Sequence, residues 1–245
     1  MPKQTQQQES PELKMNRILQ KLDAEDRNAL IARGTVVQLK FGKRLYRQDE
    51  PIDAVYFPQS CMVSLLVSFN GKAQMEMATV GREGVVGAAE LLQNQGAIGL
   101  SIIQIPGAAI RIPADSFLKE LTARPLLEKA MHRHFYALTR QILHGAACNR
   151  LHSMEERCAR WLLMTHDRAS QDSFPLTQEF LSHMLGVRRA TVNVATGMLK
   201  KAGFIRYVRG QITVIDRAGL ESASCECYGA IIQAYDSVMN RTPYR

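Results

Sequence analysis

The sequence predicts an α+β protein: a β-roll (jelly roll) of short strands, one long amphipathic helix, and a helical C-terminal unit finished by a small hairpin. Three observations carry this reading. From Thr35 to Pro113 the chain is a series of short apolar runs cut by Gly and Pro. Leu127, Met131, Leu138, Ile142 and Ala146 then recur at three-to-four-residue spacing or its sum, the period of a helix face. Finally, two short helical patterns meet at Gly186 and run into an alternating segment.

The elements follow in order. Met1 to Ser10 is Gln-rich and polar and lacks the apolar run of a secretory leader, so residues 1–12 are expected to be a disordered tail. Residues 13–34 read as a short helical lead-in, with Asp23 as N-cap, Leu22 and Leu30 facing inward, and Gly34 as an αL stop. Val36, Val37 and Leu39, then Ala54–Phe57, then Met62–Phe69 look like strands. Met75, Met77 and Thr79 form a return strand across Asn70-Gly71, because a type I′ turn needs positive φ at both central residues. Ile98–Ile105 and Ala108–Ile112 flank the turn Pro106-Gly107. So many short strands within 13–117 indicate a barrel, jelly roll or sandwich.

A helix is expected over 118–150. Its apolar stripe must be covered, either by a second copy of the chain or by the protein's own β domain, and spacing alone does not choose between them. Ser153-Met154-Glu155-Glu156 is a capping box, which starts a new helix running through Trp161 to about His166. Residues 151–220 then form a compact second domain. The segment 221–245 is a helical extension with Tyr228, Ile231, Ile232 and Tyr235 on one face.

The 245 residues carry a formal net charge of +8. No stretch approaches the roughly 20 uninterrupted apolar residues of a membrane helix. A positive excess favours polyanions in general, but its location is more specific. Between Leu176 and Arg217 stand Arg188, Arg189, Lys200, Lys201, Arg206, Arg209 and Arg217, against only Glu179 and Asp216. Charge gathered in one segment is what a phosphate-binding surface requires. The five cysteines are an odd number, and reduced thiols in a cytoplasmic protein are expected.

Within this segment Thr177 suits an N-cap, Leu181 and Leu185 share a face, and Gly186 ends the helix where an αL residue is needed. A second helix from Arg188 or Arg189 to Lys201 buries Val192, Ala195 and Leu199. Two short helices around a Gly-containing turn, with small Ser182 at their approach, make a helix-turn-helix. The opposite ridge, Ala190, Val194, Gly197 and Lys201, is small, so the backbone can sit deep in a DNA groove. Arg189 suits a guanine edge, Asn193 an adenine edge, and Ala190 or Val194 a thymine methyl; Arg188, Thr191, Lys200 and Lys201 border them. Residues 203–214 alternate like a hairpin, a wing whose Arg206 and Arg209 suit phosphates. The rival classes are an enzyme and a ligand-binding regulatory subunit without DNA contact. No Gly-rich phosphate loop, metal dyad or nucleophile elbow supports the first, and catalytic residues are not expected. The clustered cations weigh against both.

This order of elements, and above all Leu176–Thr191 with Leu-Gly-Val-Arg-Arg-Ala-Thr-Val at its turn, resembles the Crp/Fnr family of bacterial transcription regulators over about Leu13 to Leu220. The resemblance implies a cyclic-nucleotide-binding-like β-roll and a winged helix-turn-helix. It also implies a homodimer joined along the helix around 125–149 through the stripe Leu127, Met131, Leu138, Ile142 and Ala146. Base contacts would come from Arg189, Ala190 and Val194, phosphate contacts from Thr177 and Gln178, and RNA polymerase would be a further partner. An acidic reader of the best-known pattern is replaced by Ala190 and a basic one by Val194, so the usual operator is not implied.

The effector site departs further. Cyclic-nucleotide members carry Gly-Glu-Leu, then Arg-Ser-Ala about ten residues on, to hold ribose and phosphate. Here Gly87-Ala88-Ala89 and Ile98-Gly99-Leu100 stand at those places, so cyclic AMP is not the expected effector. Arg82, Glu83 and Glu90 are read as serving a turn and the surface. An iron–sulfur role would need about four clustered thiolates, and no Cys precedes Cys61. His144, Cys148 and His152 share i, i+4, i+8 spacing, but Ser153 starts a new helix, and the trio is read as packed or solvated. Cys225-Glu226-Cys227 is too short a loop for a usual zinc pair. No metal and no cofactor are expected.

Overall fold

The structure is a computed structural model that describes residues 15–69, 73–169 and 171–240. The expected N-terminal tail and the Asn70-Gly71 turn lie outside the described residues. The chain opens with helices α1 (Arg17–Lys21) and α2 (Ala24–Ala32) and strands β1 (Thr35–Leu39), β2 (Arg44–Tyr46), β3 (Ala54–Pro58), β4 (Met62–Phe69) and β5 (Ala73–Val80). Helix α3 (Ala88–Leu92), strands β6 (Leu100–Ile105) and β7 (Gly107–Pro113) and helix α4 (Ala114–Ala123) follow. Helices α5 (Pro125–Leu151) and α6 (Met154–His166) lead to β8 (Ser173–Pro175), α7 (Gln178–Leu185) and α8 (Arg189–Lys201). Strands β9 (Ile205–Val208) and β10 (Gln211–Val214) and helices α9 (Arg217–Ser222) and α10 (Cys227–Asn240) complete the described chain.

Two antiparallel sheets, ordered β1-β7-β3 and β2-β6-β4-β5, face each other as the β-roll. Leu39, Tyr46, Val63, Val80, Ile103 and Ala109 fill the space between them. Asp23 caps α2 as its spacing suggested, accepting the Asp26 amide. The lead-in is two helices rather than one, since Asn16 caps α1 with its side chain and anchors it to Pro58 and Gly84 through Nδ2. Gly34 is not the left-handed stop expected of it. A Cβ there would stand 2.7 Å from Ile110 Cγ2, so the glycine lets the chain pass close over β7.

The long helix begins at Pro125 rather than at 118, because proline at the first helical position ends α4 and starts α5 with Arg124 extended between them. Its 27 residues span about 40 Å. The capping box at Ser153 is present in both directions and divides α5 from α6. Sheet β8-β10-β9 packs with α6, α7, α8 and α9 around Trp161, Leu162, Leu181, Val192, Leu199 and Ile212.

This C-terminal unit rests on the β-roll through specific contacts. Trp161 Nε1 donates to Glu76 Oε1 at 2.7 Å. Gln104 Nε2 donates to Thr165 Oγ1 at 3.1 Å, and the Phe41 and Phe180 rings lie 5.4 Å apart. Glu83, expected at the surface, is instead buried in an ion pair with Arg168 at 2.6 Å. Burial pushes the Glu83 carboxyl up, but Arg168 and the Gly81 amide outweigh it and hold it below its ordinary value. The loop that looked like a solvated turn is a joint between the two units.

Candidate nucleic-acid interface and effector cavity

Helix α7 starts at Thr177, whose hydroxyl accepts the Phe180 amide at 3.1 Å. It stops at Gly186, which has φ 64° and returns its amide to the last turn. A Cβ there would also stand 2.8 Å from Met75 Sδ, which the flexible methionine could relieve by shifting, so the left-handed backbone is what calls for glycine. Helix α8 then runs for 13 residues with Val192, Ala195, Thr196 and Leu199 buried.

The opposite face of α8 is bare. Arg188, Arg189, Ala190, Thr191, Asn193, Gly197, Lys200 and Lys201 are exposed, and Val194 keeps 63% of its surface in solvent. Ala190 and Val194 form one wall of a shallow groove whose other wall is Ser153, Met154 and Glu155 at the start of α6. A Cβ on Gly197 would meet nothing within 4 Å, so no intramolecular contact demands a glycine there. Strands β9 and β10 pair across the turn Arg209-Gly210, where both residues have positive φ, and Arg206 and Arg209 are exposed on this wing. Thr177 is exposed and Gln178 half-buried at the start of α7. All twelve residues expected to meet DNA therefore reach the surface of the C-terminal unit.

The dimer stripe is placed differently. Leu127 and Met131 are completely buried in the protein's own core, beside Ile18, Phe117, Ile231 and Tyr235. Helix α10 is the physical reason: it lies along α5, with Tyr235 Oη donating to Gln141 Oε1 at 2.9 Å, and covers that side. Leu138 and Ile142 are half-buried, and of the five residues only Ala146 is exposed. The uncovered face of α5 runs through His132, Tyr136, Thr139, Leu143, Ala146 and Arg150, at alternating spacings of four and three. Tyr136 and Leu143, two turns apart on it, are 55% and 63% exposed and give this face an apolar character.

The six residues named for the effector site do come together. Gly87, Ala88, Ala89, Ile98, Gly99 and Leu100 line one cavity of about 120 Å³, closed by β4, β5 and the middle of α5. Leu138 and Ile142 form its helical wall. Among the described residues lining it there is no lysine or arginine; Glu90 and His134 are the ionisable groups. His134 is fully buried, its Nε2 donating to the Val85 carbonyl at 3.0 Å, and burial pushes its pKa down to about 4. Apart from Glu90, Ser101 and the neutral His134 imidazole the described lining is apolar, and it holds no cationic side chain to pair a phosphate.

The cysteines fall into two groups. Cys61 and Cys158 are buried separately, and burial pushes each thiol up to about 12, which leaves them unreactive. Cys148, Cys225 and Cys227 instead pack on one another, with His152 beside them. His144 points elsewhere, to Arg140. The i, i+4, i+8 trio is thus split, and two of its members join the pair that had looked too closely spaced to ligate.

The described chain is thus a β-roll joined by a long helix to a winged helix-turn-helix. Residues 156–223 match the sequence model of the Crp-like helix-turn-helix domain. No curated protein sequence matches the chain. Among solved structures, FixK2 from Bradyrhizobium japonicum aligns with TM-score 0.67 and 17% identity over 78% of this chain and 98% of its own. A putative Crp/Fnr-family regulator from Eubacterium rectale aligns with TM-score 0.64 and 13% identity, covering 84% and 96%. The c-di-GMP-responsive global regulator CLP of Xanthomonas campestris gives TM-score 0.64 and 14% identity, covering 78% and 99%. Residues 156–223 are a Crp-like helix-turn-helix domain, and the chain is a DNA-binding transcription regulator with the Crp/Fnr architecture.

Proposed function

We propose that the protein acts as a homodimer that reads an inverted repeat through two copies of α8. The observation that carries this is the uncovered heptad face of α5, where Tyr136 and Leu143 are exposed while Leu127, Met131, His134, Ala137 and Gln141 on the other side of the helix are buried. Two such helices side by side remove that apolar surface from water. Each α8 then enters a major groove with Arg189 toward guanine and Asn193 toward adenine. Ala190 and Val194 lie against thymine methyls, and Thr191 borders them. Thr177, Gln178, Arg188, Lys200, Lys201, Arg206 and Arg209 take the phosphates and set the register.

The cavity supports an effector that is small, apolar and without a phosphate, since nothing cationic lines it. Because α5 forms one of its walls, filling the cavity acts directly on the helix that carries the dimer face. Contact with RNA polymerase and a cytoplasmic setting complete this reading, as the context in which a transcription regulator works.

The test is selection of bound fragments from random DNA, with sedimentation of the purified chain alongside. The expected result is a dimer and a two-fold symmetric site, its half-sites about 34 Å apart. Recovery of single half-sites by a monomer would refute the proposal. Calorimetry with cyclic AMP should show no micromolar binding.

A further inference from the structure

We propose that Cys148, His152, Cys225 and Cys227 form a tetrahedral Cys3His site for a divalent cation of the zinc class. One ligand atom from each residue lies within 4.8 Å of all the others. The Cys148 and Cys225 sulfurs are 3.5 Å apart, and Cys227 Sγ is 3.7 Å from His152 Nδ1. Zinc–sulfur bonds of about 2.3 Å and zinc–nitrogen bonds of about 2.0 Å, set at tetrahedral angles, give ligand separations of about 3.8 Å and about 3.5 Å. The two closest pairs already stand at that spacing, and a central ion would draw the remaining separations, all within 4.8 Å, inward by up to about 1 Å.

The local backbone explains how such an unusual spacing converges. Cys148 sits in the last turn of α5, and His152 is its C-cap, extended rather than helical. Cys225 lies just before α10 and Cys227 is its first residue, so the chain turns between them and both sulfurs face the end of α5. A one-residue spacer is ordinarily too short for two ligands on a strand, but a helix start bends it enough.

Three further features fit a metal rather than a plain thiol core. Cys148, Cys225 and Cys227 form a buried cluster of their own, with no aliphatic residue among its members. His152 Nε2 lies 3.1 Å from Glu226 Oε1, a carboxylate that fixes the ring with Nδ1 free to ligate. This is the outer partner that metal-bound histidines usually have. Finally, Arg157 and Arg160 on α6 each keep a buried Nε with no hydrogen-bond partner. Three thiolates and one divalent ion leave a net negative charge, which these guanidinium groups offset.

The site joins residues 77 positions apart, the end of α5 and the start of α10. It lies immediately before Ser153, the joint between the dimer helix and the DNA-reading unit. Occupancy therefore fixes the joint on which the placement of α8 depends. This proposal stands independently of the inverted-repeat reading above.

The test uses the full-length chain, reduced and freed of metal, then titrated with Zn(II) or Co(II). We expect one equivalent per chain by native mass spectrometry. The cobalt form should show the intense visible bands of a tetrahedral site with thiolate-to-cobalt charge transfer. Cys227→Ser should weaken binding by at least about 100-fold and Glu226→Gln by about 10–100-fold. Cys61→Ser should change nothing. The proposal falls if the reduced wild-type chain takes up no metal, or gives the weak spectrum of octahedral cobalt. It falls equally if the chain isolated under reducing conditions carries a Cys148–Cys225 disulfide by peptide mapping.

Discussion

The recognition helix and the effector cavity sit at opposite ends of the same design problem. The reading face of α8 is laid out by 13 consecutive residues and has to stay bare. The cavity is assembled from β4, β5, β6, the loop into α3 and the middle of α5, and has to be closed over. A bare face needs only a helix with one buried side, and any 13 residues with the right period declare it. An enclosed space needs every wall to be present at once. The helix wall is the revealing part: the resemblance implies a partner-facing role for Leu138 and Ile142, yet they line the cavity.

The sharpest test of this contrast separates the two sides of α5. Leu143→Glu should leave the fold intact, yield monomers by sedimentation velocity and lower operator affinity by at least about 100-fold, since each half-site is then bound alone. Met131→Ala should instead lower the unfolding free energy by about 2–5 kcal/mol while the chain still associates. If Leu143→Glu stays dimeric, the uncovered face belongs to something else.

A second test addresses how the C-terminal unit rests on the β-roll. Burial pushes the Glu76 pKa up to about 7, against the hydrogen bond from Trp161. The folded protein therefore binds a proton that the unfolded chain, with an ordinary carboxyl near 4.5, has lost. Stability from this group is complete below about pH 4.5 and fades as pH rises to about 7. The loss is on the order of 3 kcal/mol at most. Glu76→Gln should flatten this part of the pH–stability curve, read by denaturant unfolding at pH 5 and pH 8. An unchanged slope would mean that Glu76 is ionised in place.

On the DNA side the effects are smaller. Arg189→Ala should weaken binding to the selected site by about 1–3 kcal/mol and leave binding to random DNA nearly unchanged. Lys201→Ala should weaken both alike and reduce the salt slope by about one. Smallest of all, Gly197→Ala should stabilise the free protein by about 0.5–1 kcal/mol, because its Cβ points into open space. The same change should still reduce operator affinity if α8 lies deep in the groove. Unimpaired binding would show that the glycine is not there for close approach.

What could be read from the sequence followed the same division. The helix-turn-helix, its Thr177 cap, the Gly186 stop and the capping box at Ser153 were all visible, because each is a local pattern with a local cause. The strands were mostly visible too, except β2 and β8, whose three residues each are too few to show a period. Gly34 was misread because a glycine looks the same whether it serves a left-handed turn or a close crossing over Ile110. Glu83 looked solvated because its partner, Arg168, lies 85 residues away. The stripe left open whether Leu127 and Met131 meet a partner or the protein's own core; the resemblance pointed to a partner, and nothing local announces that α10 folds back over them. The Cys148, His152, Cys225 and Cys227 cluster was missed for the same reason, as its halves meet only in the folded chain.

The nakedness of Ala190 and Val194 has one more implication. Neither side chain is held in the interior, so exchanging either for another residue that is neither Gly nor Pro alters stability only within about 0.5 kcal/mol. On the proposed docking, the two positions closest to the bases are therefore also among the cheapest to mutate. A lineage carrying this scaffold can retune which promoters it visits by single-codon steps there, while folding, pairing and sensing carry on undisturbed.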